Sequence, residues 1–327
     1  MDRPVHDLNA IKNACGSYAL VSRHPETDTA VIFVHGFGGD SQATWLDFPS
    51  LIDSCSGEYP WWNTCDVFFY EYAGSRTIPI AVSAHKLLTF LRATFPEPDG
   101  SLFRFSATVP KLDGLFPSIP LRREGFKYKN LVLVGHSEGA VVIRRALIEE
   151  YKRIRDEGGL PNLRSFLTFE ETQAARERIQ REFLRDYPLF DAAVLLFAPA
   201  HLGATVTGWA GVLVSCLRVC SVLAPIFDGL KAYSAAYHDL KGGSPFLTQL
   251  RSDTEKFALD FPQPQAFKAR SYFGEKDRIV CIGEYESDPP AVLVKNKGHL
   301  AVCKPSQSYK EPLKYVRYER ERRVSAS

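Results

Sequence analysis

The chain has 327 residues, 45% of them hydrophobic and 24% charged. That is enough apolar material for a substantial core and too much for a disordered chain. Forty Lys+Arg against 38 Asp+Glu leave a formal net charge of +2, which removes any global electrostatic case for a nucleic-acid partner. The seven cysteines are odd in number and form no C-x-x-C pair, and the chain opens polar with no secretory apolar run. A reduced, intracellular, cytoplasmic protein is therefore expected.

Short apolar runs recur along the chain, at 30–34, 67–70, 131–134, 192–197, 269–273 and 291–294. They are continuous and rich in β-branched and aromatic residues, as strands covered on both faces are. Helical spacing is predicted between them at 80–95, where Ile80, Leu87, Leu88 and Leu91 share a face, and at 138–155. A strongly charged helix is predicted over 170–185, with only a narrow apolar stripe that includes Ile179 and Phe183. Strands alternating with helices predict an α/β fold, with a mostly parallel central sheet flanked by helices.

One domain is expected over 1–327. A helical cap insertion is read at about 203–262, over the sheet's carboxyl edge, where open α/β sheets bind ligands. Within it, 205–227 is mostly apolar with a single charge, Arg218, near its middle. Burying that arginine in a bilayer costs ~2.5–3.5 kcal/mol, so a lid or core helix is expected there in place of a membrane span. Cys216 and Cys220 share a helical face in this stretch and read as packing residues. The end of the chain, about 306–327, carries Lys310, Lys314, Arg317, Arg320, Arg322 and Arg323 and is expected to be a basic, solvated terminal helix.

The most informative stretch is the strand at 131–134 followed by Gly135-His136-Ser137-Glu138-Gly139 and a helix. A serine hydroxyl is a weak nucleophile and must stand clear of the sheet where a base reaches it. A sharp strand-to-helix turn does this, and its crowding admits only small residues at Gly135 and Gly139. The helix start beneath offers N–H groups and a positive dipole end to a developing oxyanion. A second strand ends in His35-Gly36-Phe37-Gly38-Gly39. No phosphate-loop pattern can be written through these glycines. In this geometry the backbone amides of Phe37 and Glu138 would form an oxyanion hole, with His35 fixing the loop.

A base and an acid are sought downstream. Of the eight histidines, His299 follows the last predicted strand, where a loop can hang an imidazole over Ser137. Asp277, in Gly274-Glu275-Lys276-Asp277, sits at the turn after a strand and is the preferred acid, with Glu275 its rival. The order Ser137, Asp277, His299 is that of α/β-hydrolases and not of either common protease order.

These residues resemble those of α/β-hydrolase serine esterases and lipases. Within that fold the chain is similar to GPI inositol deacylases and related lipid-acting serine esterases. The likeness lies in His35-Gly36-Phe37-Gly38-Gly39 with Thr44-Trp45 beyond, in Gly135-His136-Ser137-Glu138-Gly139, and in His299-Leu300-Ala301-Val302-Cys303-Lys304-Pro305. A weaker match is Ala198-Pro199-Ala200-His201-Leu202-Gly203, where lipases carry Thr-Pro-His-x-Gly.

The resemblance implies two-step acyl transfer from a hydrophobic ester or lipid by Ser137, His299 and Asp277, without metal or cofactor. Trp209, Leu213 and Leu217 are expected to line an acyl channel or to form a lid in peripheral contact with a membrane. The other reading of those three is packing on the core without substrate contact. The alternatives to an esterase are an acyl-protein or acyl-CoA thioesterase and, from another class, a hydrolase fold kept as a non-catalytic binding module.

Overall fold

The computed structural model describes residues 5–8, 16–55, 57–72, 78–99, 122–159, 171–204, 235–260 and 265–324. Strands β1 (Val5–Asp7), β2 (Tyr18–Leu20), β3 (Thr29–Val34), β4 (Cys65–Tyr70), β5 (Asn130–His136), β6 (Ala193–Phe197), β7 (Arg270–Gly274) and β8 (Val292–Val294) form one eight-stranded sheet in the order β1-β2-β4-β3-β5-β6-β7-β8. From β4 to β8 all pairings are parallel. β1 and β2 are antiparallel to each other, and β2 is antiparallel to β4. This is the α/β-hydrolase fold anticipated from the sequence. Every predicted strand is present, and β1 and β2 extend the sheet beyond that expectation.

Burial explains the continuous runs. All six residues of β3 and all six of β4 are buried, because helices cover the sheet on both faces. The helices are α1 (Phe48–Ser54), α2 (Ile80–Thr94), α3 (Glu138–Asp156), α4 (Glu171–Asp186), α5 (Ala235–Asp239), α6 (Pro245–Asp260) and α7 (Glu311–Val324). α3 is buried on every side along its first turns, from Glu138 through Arg144, and then keeps one apolar stripe with Leu147, Ile148, Tyr151 and Ile154. Each fully buried aliphatic side chain there is worth ~1.5–3 kcal/mol, so the turn that precedes α3 is mounted on a firmly held helix.

Two helices at the periphery pack in ways the sequence did not specify. α6, within the stretch expected to cap the carboxyl edge, runs beside α3. Lys152 meets Asp253 at 2.6 Å, and the Tyr151 and Phe257 rings lie 4.3 Å apart. It joins the helical layer because its Leu247, Leu250 and Phe257 need apolar cover. The terminal helix α7 is not simply solvated either. Leu313 and Val316 are fully buried, Tyr315 stacks on Tyr272 at 4.2 Å, and Glu319 pairs with Arg270 at 2.7 Å. Lys314 is exposed on this helix, which docks on the sheet. Among the described residues no helix is long and apolar enough to cross a membrane.

Candidate active site

The carboxyl ends of β3, β5, β6, β7 and β8 are brought into line by register. Val34 lies opposite Gly135, His136 opposite Phe197, Phe197 opposite Tyr272, and Gly274 opposite Val294. Loops leaving these ends therefore gather at one edge. Ser137 sits between β5 and α3 with φ +54° and ψ −116°, a strained conformation for a residue with a Cβ. Its amide donates to the Phe197 carbonyl at 3.0 Å, and its carbonyl accepts the Ala200 amide at 3.2 Å, so the turn is clamped to the loop after β6. The close approach that needs glycine is at Gly139, where a Cβ would lie 2.3 Å from the carbonyl oxygens of Val34 and His35.

A serine at this position ordinarily caps the helix with its hydroxyl. Here the hydroxyl makes no cap bond. Ser137 Oγ lies 3.0 Å from His299 Nε2, and His299 Nδ1 lies 2.9 Å from Asp277 Oδ2. The carboxylate accepts the Nδ1–H, which leaves Nε2 with its lone pair toward the hydroxyl. Asp277 is itself held by the Ile279 and Val280 amides, which donate to Oδ1 at 2.9 and 3.3 Å. The Asp277 and His299 side chains are both buried, which strengthens these interactions relative to water. The structure thus brings together Ser137, Asp277 and His299, residues far apart in the chain.

Phe37 and Glu138 flank the serine. Glu138 opens α3, and the loop carrying Phe37 abuts the nucleophile, since a Cβ on Gly36 would come 2.9 Å from the Ser137 Cβ. His35 fixes that loop. Its Nδ1–H donates to the Gly36 carbonyl at 2.9 Å, while Nε2 accepts the Tyr72 amide at 3.4 Å. The Tyr72 hydroxyl donates to the His35 carbonyl at 2.9 Å, and the two rings stack at 4.3 Å. Burial lowers the His35 pKa and favours the neutral ring this tautomer requires.

The other acids after β7 have other work. Glu275 accepts the Asn296 amide at 3.0 Å and braces the loop before His299. Asp288 pairs with buried Arg144 of α3 at 2.5 Å and accepts the Ala269 amide at 2.9 Å. Arg144 also lies 4.6 Å from the centre of the Tyr285 ring. His201 bonds the Gly283 carbonyl through Nε2 at 3.0 Å, and burial pushes its pKa down to about 3. It therefore anchors the loop beyond Asp277. Sequence reasoning missed Tyr72 and Arg144. Arg144 was detectable in principle, because it shares a helical face with Val141, Ile148 and Tyr151, where a cation demands a buried partner. Tyr72, just beyond β4, belongs to no pattern.

Glu138 is the exception to this economy. Its side chain is fully buried, and among the described residues neither carboxylate oxygen has a hydrogen-bond partner. Burial, with Asp239 nearby, holds its pKa well above the usual carboxylate range. Trp209, Leu213 and Leu217, expected to meet substrate, lie outside the described residues. Among the described residues no cluster of three or more His, Cys, Asp or Glu could hold a metal ion.

No protein-family model and no curated protein matches the chain. Among solved structures, the lipase BlEst2 of Bacillus licheniformis is 15% identical, with 92% of this chain and 97% of that one covered at a TM-score of 0.47. Est1E from Butyrivibrio proteoclasticus is 12% identical over 99% and 100% at a TM-score of 0.43. A monoacylglycerol lipase of Paleococcus ferrophilus is 14% identical over 95% and 98% at 0.41. The fold assignment rests on the strand order and the turn at Ser137, to which likeness at this level adds nothing.

Proposed function

We propose that the chain is a serine hydrolase of carboxylic esters, acting on lipids or other hydrophobic acyl substrates in the manner of the lipid-acting serine esterases its motifs resemble. The observation that carries the reading is the continuous path from Ser137 Oγ through His299 to Asp277, at 3.0 and 2.9 Å. In the proposed reaction Ser137 Oγ attacks the ester carbonyl while its proton passes to His299 Nε2. The Phe37 and Glu138 amides receive the oxyanion. The C–O bond breaks, His299 returns the proton to the leaving alkoxide, and an acyl-serine remains. Water then attacks under the same base and frees the acid. Asp277 holds the tautomer and stabilises the imidazolium throughout. The lipid preference is carried by the apolar stretch at 205–227, and peripheral contact with a membrane from a cytoplasmic location fits the same stretch.

The test is labelling with a fluorophosphonate probe together with turnover of p-nitrophenyl acyl esters. Wild type labels at Ser137, and Ser137→Ala loses both labelling and turnover, the latter by ~10⁶-fold. Folded wild type that refuses the probe supports the binding-module reading instead. Unchanged turnover in the alanine variant discards Ser137 as nucleophile.

A further inference from the structure

His136, the residue before the nucleophile, is not assigned a role by the proposed reaction. It is buried, and its ring reaches across the site to the loop carrying the base, where Nε2 lies 3.1 Å from the backbone carbonyl of His299. A carbonyl only accepts, so Nε2 carries the hydrogen and donates it. The same ring sits 5.0 Å from the His299 ring and edge-on to Trp45 at 6.4 Å. On its other side, a Cβ on Gly36 would come 3.1 Å from His136 Nδ1. One imidazole thus touches the oxyanion-side loop, the Trp45 loop and the loop of the base, while its own backbone leads into Ser137.

We propose that His136 is a positioning residue for His299: its N–H to the His299 carbonyl holds the base's main chain at the distance from Ser137 that proton transfer requires. The inference rests on the reading of Ser137 and His299 as nucleophile and base. The Asp277 carboxylate fixes the direction of the His299 ring, but a ring hinged on a loop also needs its backbone fixed. The Lys276 amide holds the Lys297 carbonyl of the same loop at 2.8 Å, but among the described residues no other hydrogen bond ties the His299 main chain to β5. A displacement of about 1 Å between reacting groups costs on the order of a hundredfold in rate, so a single bond to the carrying loop has kinetic weight. Burial keeps the His136 pKa well below the ordinary histidine range. A neutral ring retains the donor without setting a second cation beside the imidazolium that His299 becomes.

The experiment measures kcat and KM on a p-nitrophenyl ester, with active sites counted by the fluorophosphonate probe, for wild type, His136→Phe, His136→Gln and His136→Asn. Counting labelled serines removes any loss of folded protein from kcat. The phenyl ring fills the space without a donor, and kcat per labelled serine is expected to fall about a hundredfold with KM changed less than about twofold. Glutamine places an amide N–H near the position of Nε2 and is expected to recover about tenfold of that loss. Asparagine, one methylene shorter, recovers less, and the Gln–Asn pair carries the test if the phenylalanine variant does not fold. Equal kcat in all four proteins, or equal losses in the phenylalanine and glutamine variants, overturns the assignment to His136 alone. Wild type that neither labels nor hydrolyses overturns both this inference and the reaction on which it rests.

Discussion

Asp66 and Glu138 are both fully buried acids, placed at opposite ends of the parallel strands. Asp66 lies near the amino end of β4, and every lone pair it has is used. Arg122 Nη2 donates to its two oxygens at 2.6 and 2.7 Å, the Tyr128 hydroxyl at 2.5 Å and the Ser22 amide at 2.7 Å. Glu138 begins α3 at the carboxyl end and has no partner for either oxygen among the described residues. The residue before it, Ser137, holds a strained φ of +54°. One edge of the sheet uses its polar groups for stability. The other carries orphaned and strained groups, as sites that must present a reactive atom commonly do.

The largest expected effect sharpens this division from the site side. Asp277→Asn keeps an oxygen for the Ile279 and Val280 amides but presents an N–H to His299 Nδ1, so the imidazole must turn to its other tautomer. In the proposed reaction kcat per labelled serine then falls by ~10⁴-fold, while the urea midpoint of unfolding barely moves. A loss of only a few fold would mean that the Asp277 pair is structural, like that of Asp66.

From the other edge, Asp66→Ala leaves Arg122 buried beside Tyr128 without its acid. Removing one partner of a buried ion pair costs about 3–5 kcal/mol, which urea denaturation reads directly. Turnover per labelled serine should stay at the wild-type level. A parallel drop in turnover would couple the two edges and dissolve the contrast.

The sequence exposed the site more readily than the devices that hold it. Ser137 was marked by a strand–turn–helix pattern, and His299 and Asp277 by their places after strands, because those features are local and follow from backbone geometry. β1 and β2 were missed. β1, reading Val-His-Asp, carries no apolar run, and the short apolar run Tyr18-Ala19-Leu20-Val21 was passed over; β2 exists by pairing Tyr18 with Phe69 and Leu20 with Val67 on β4. The same reason hid the Arg144–Asp288 pair and the hold of Tyr72 on His35, whose partners lie 144 and 37 residues apart. The position of α6 beside α3 was not legible, because its apolar residues fit a cap and a flanking helix equally well.

The last effect is smaller and tests Glu138 itself. Because burial raises its folded pKa, the carboxyl keeps its proton in the folded chain after the unfolded chain has lost its own near pH ~4.3. The folded state then binds more protons, and stability must fall as pH rises from that value toward the folded pKa, by about 1.4 kcal/mol per pH unit. Glu138→Gln has nothing to lose over that range. Asp239, which pushes on Glu138, and Tyr72, which Glu138 pushes on, are present in both chains, so their own titrations largely cancel in the difference. Urea unfolding over a pH series rising from about 5 should show the glutamine variant gaining on wild type until the pH reaches the folded pKa of Glu138. Glutamine's amide cannot find a partner there either, so the two proteins should be closest in stability at the acid end. A difference that stays flat across the series would mean that Glu138 is ionised in the folded chain. A buried carboxylate in that state requires a cation or donors, and the contrast with Asp66 would then reduce to one of partners at different distances.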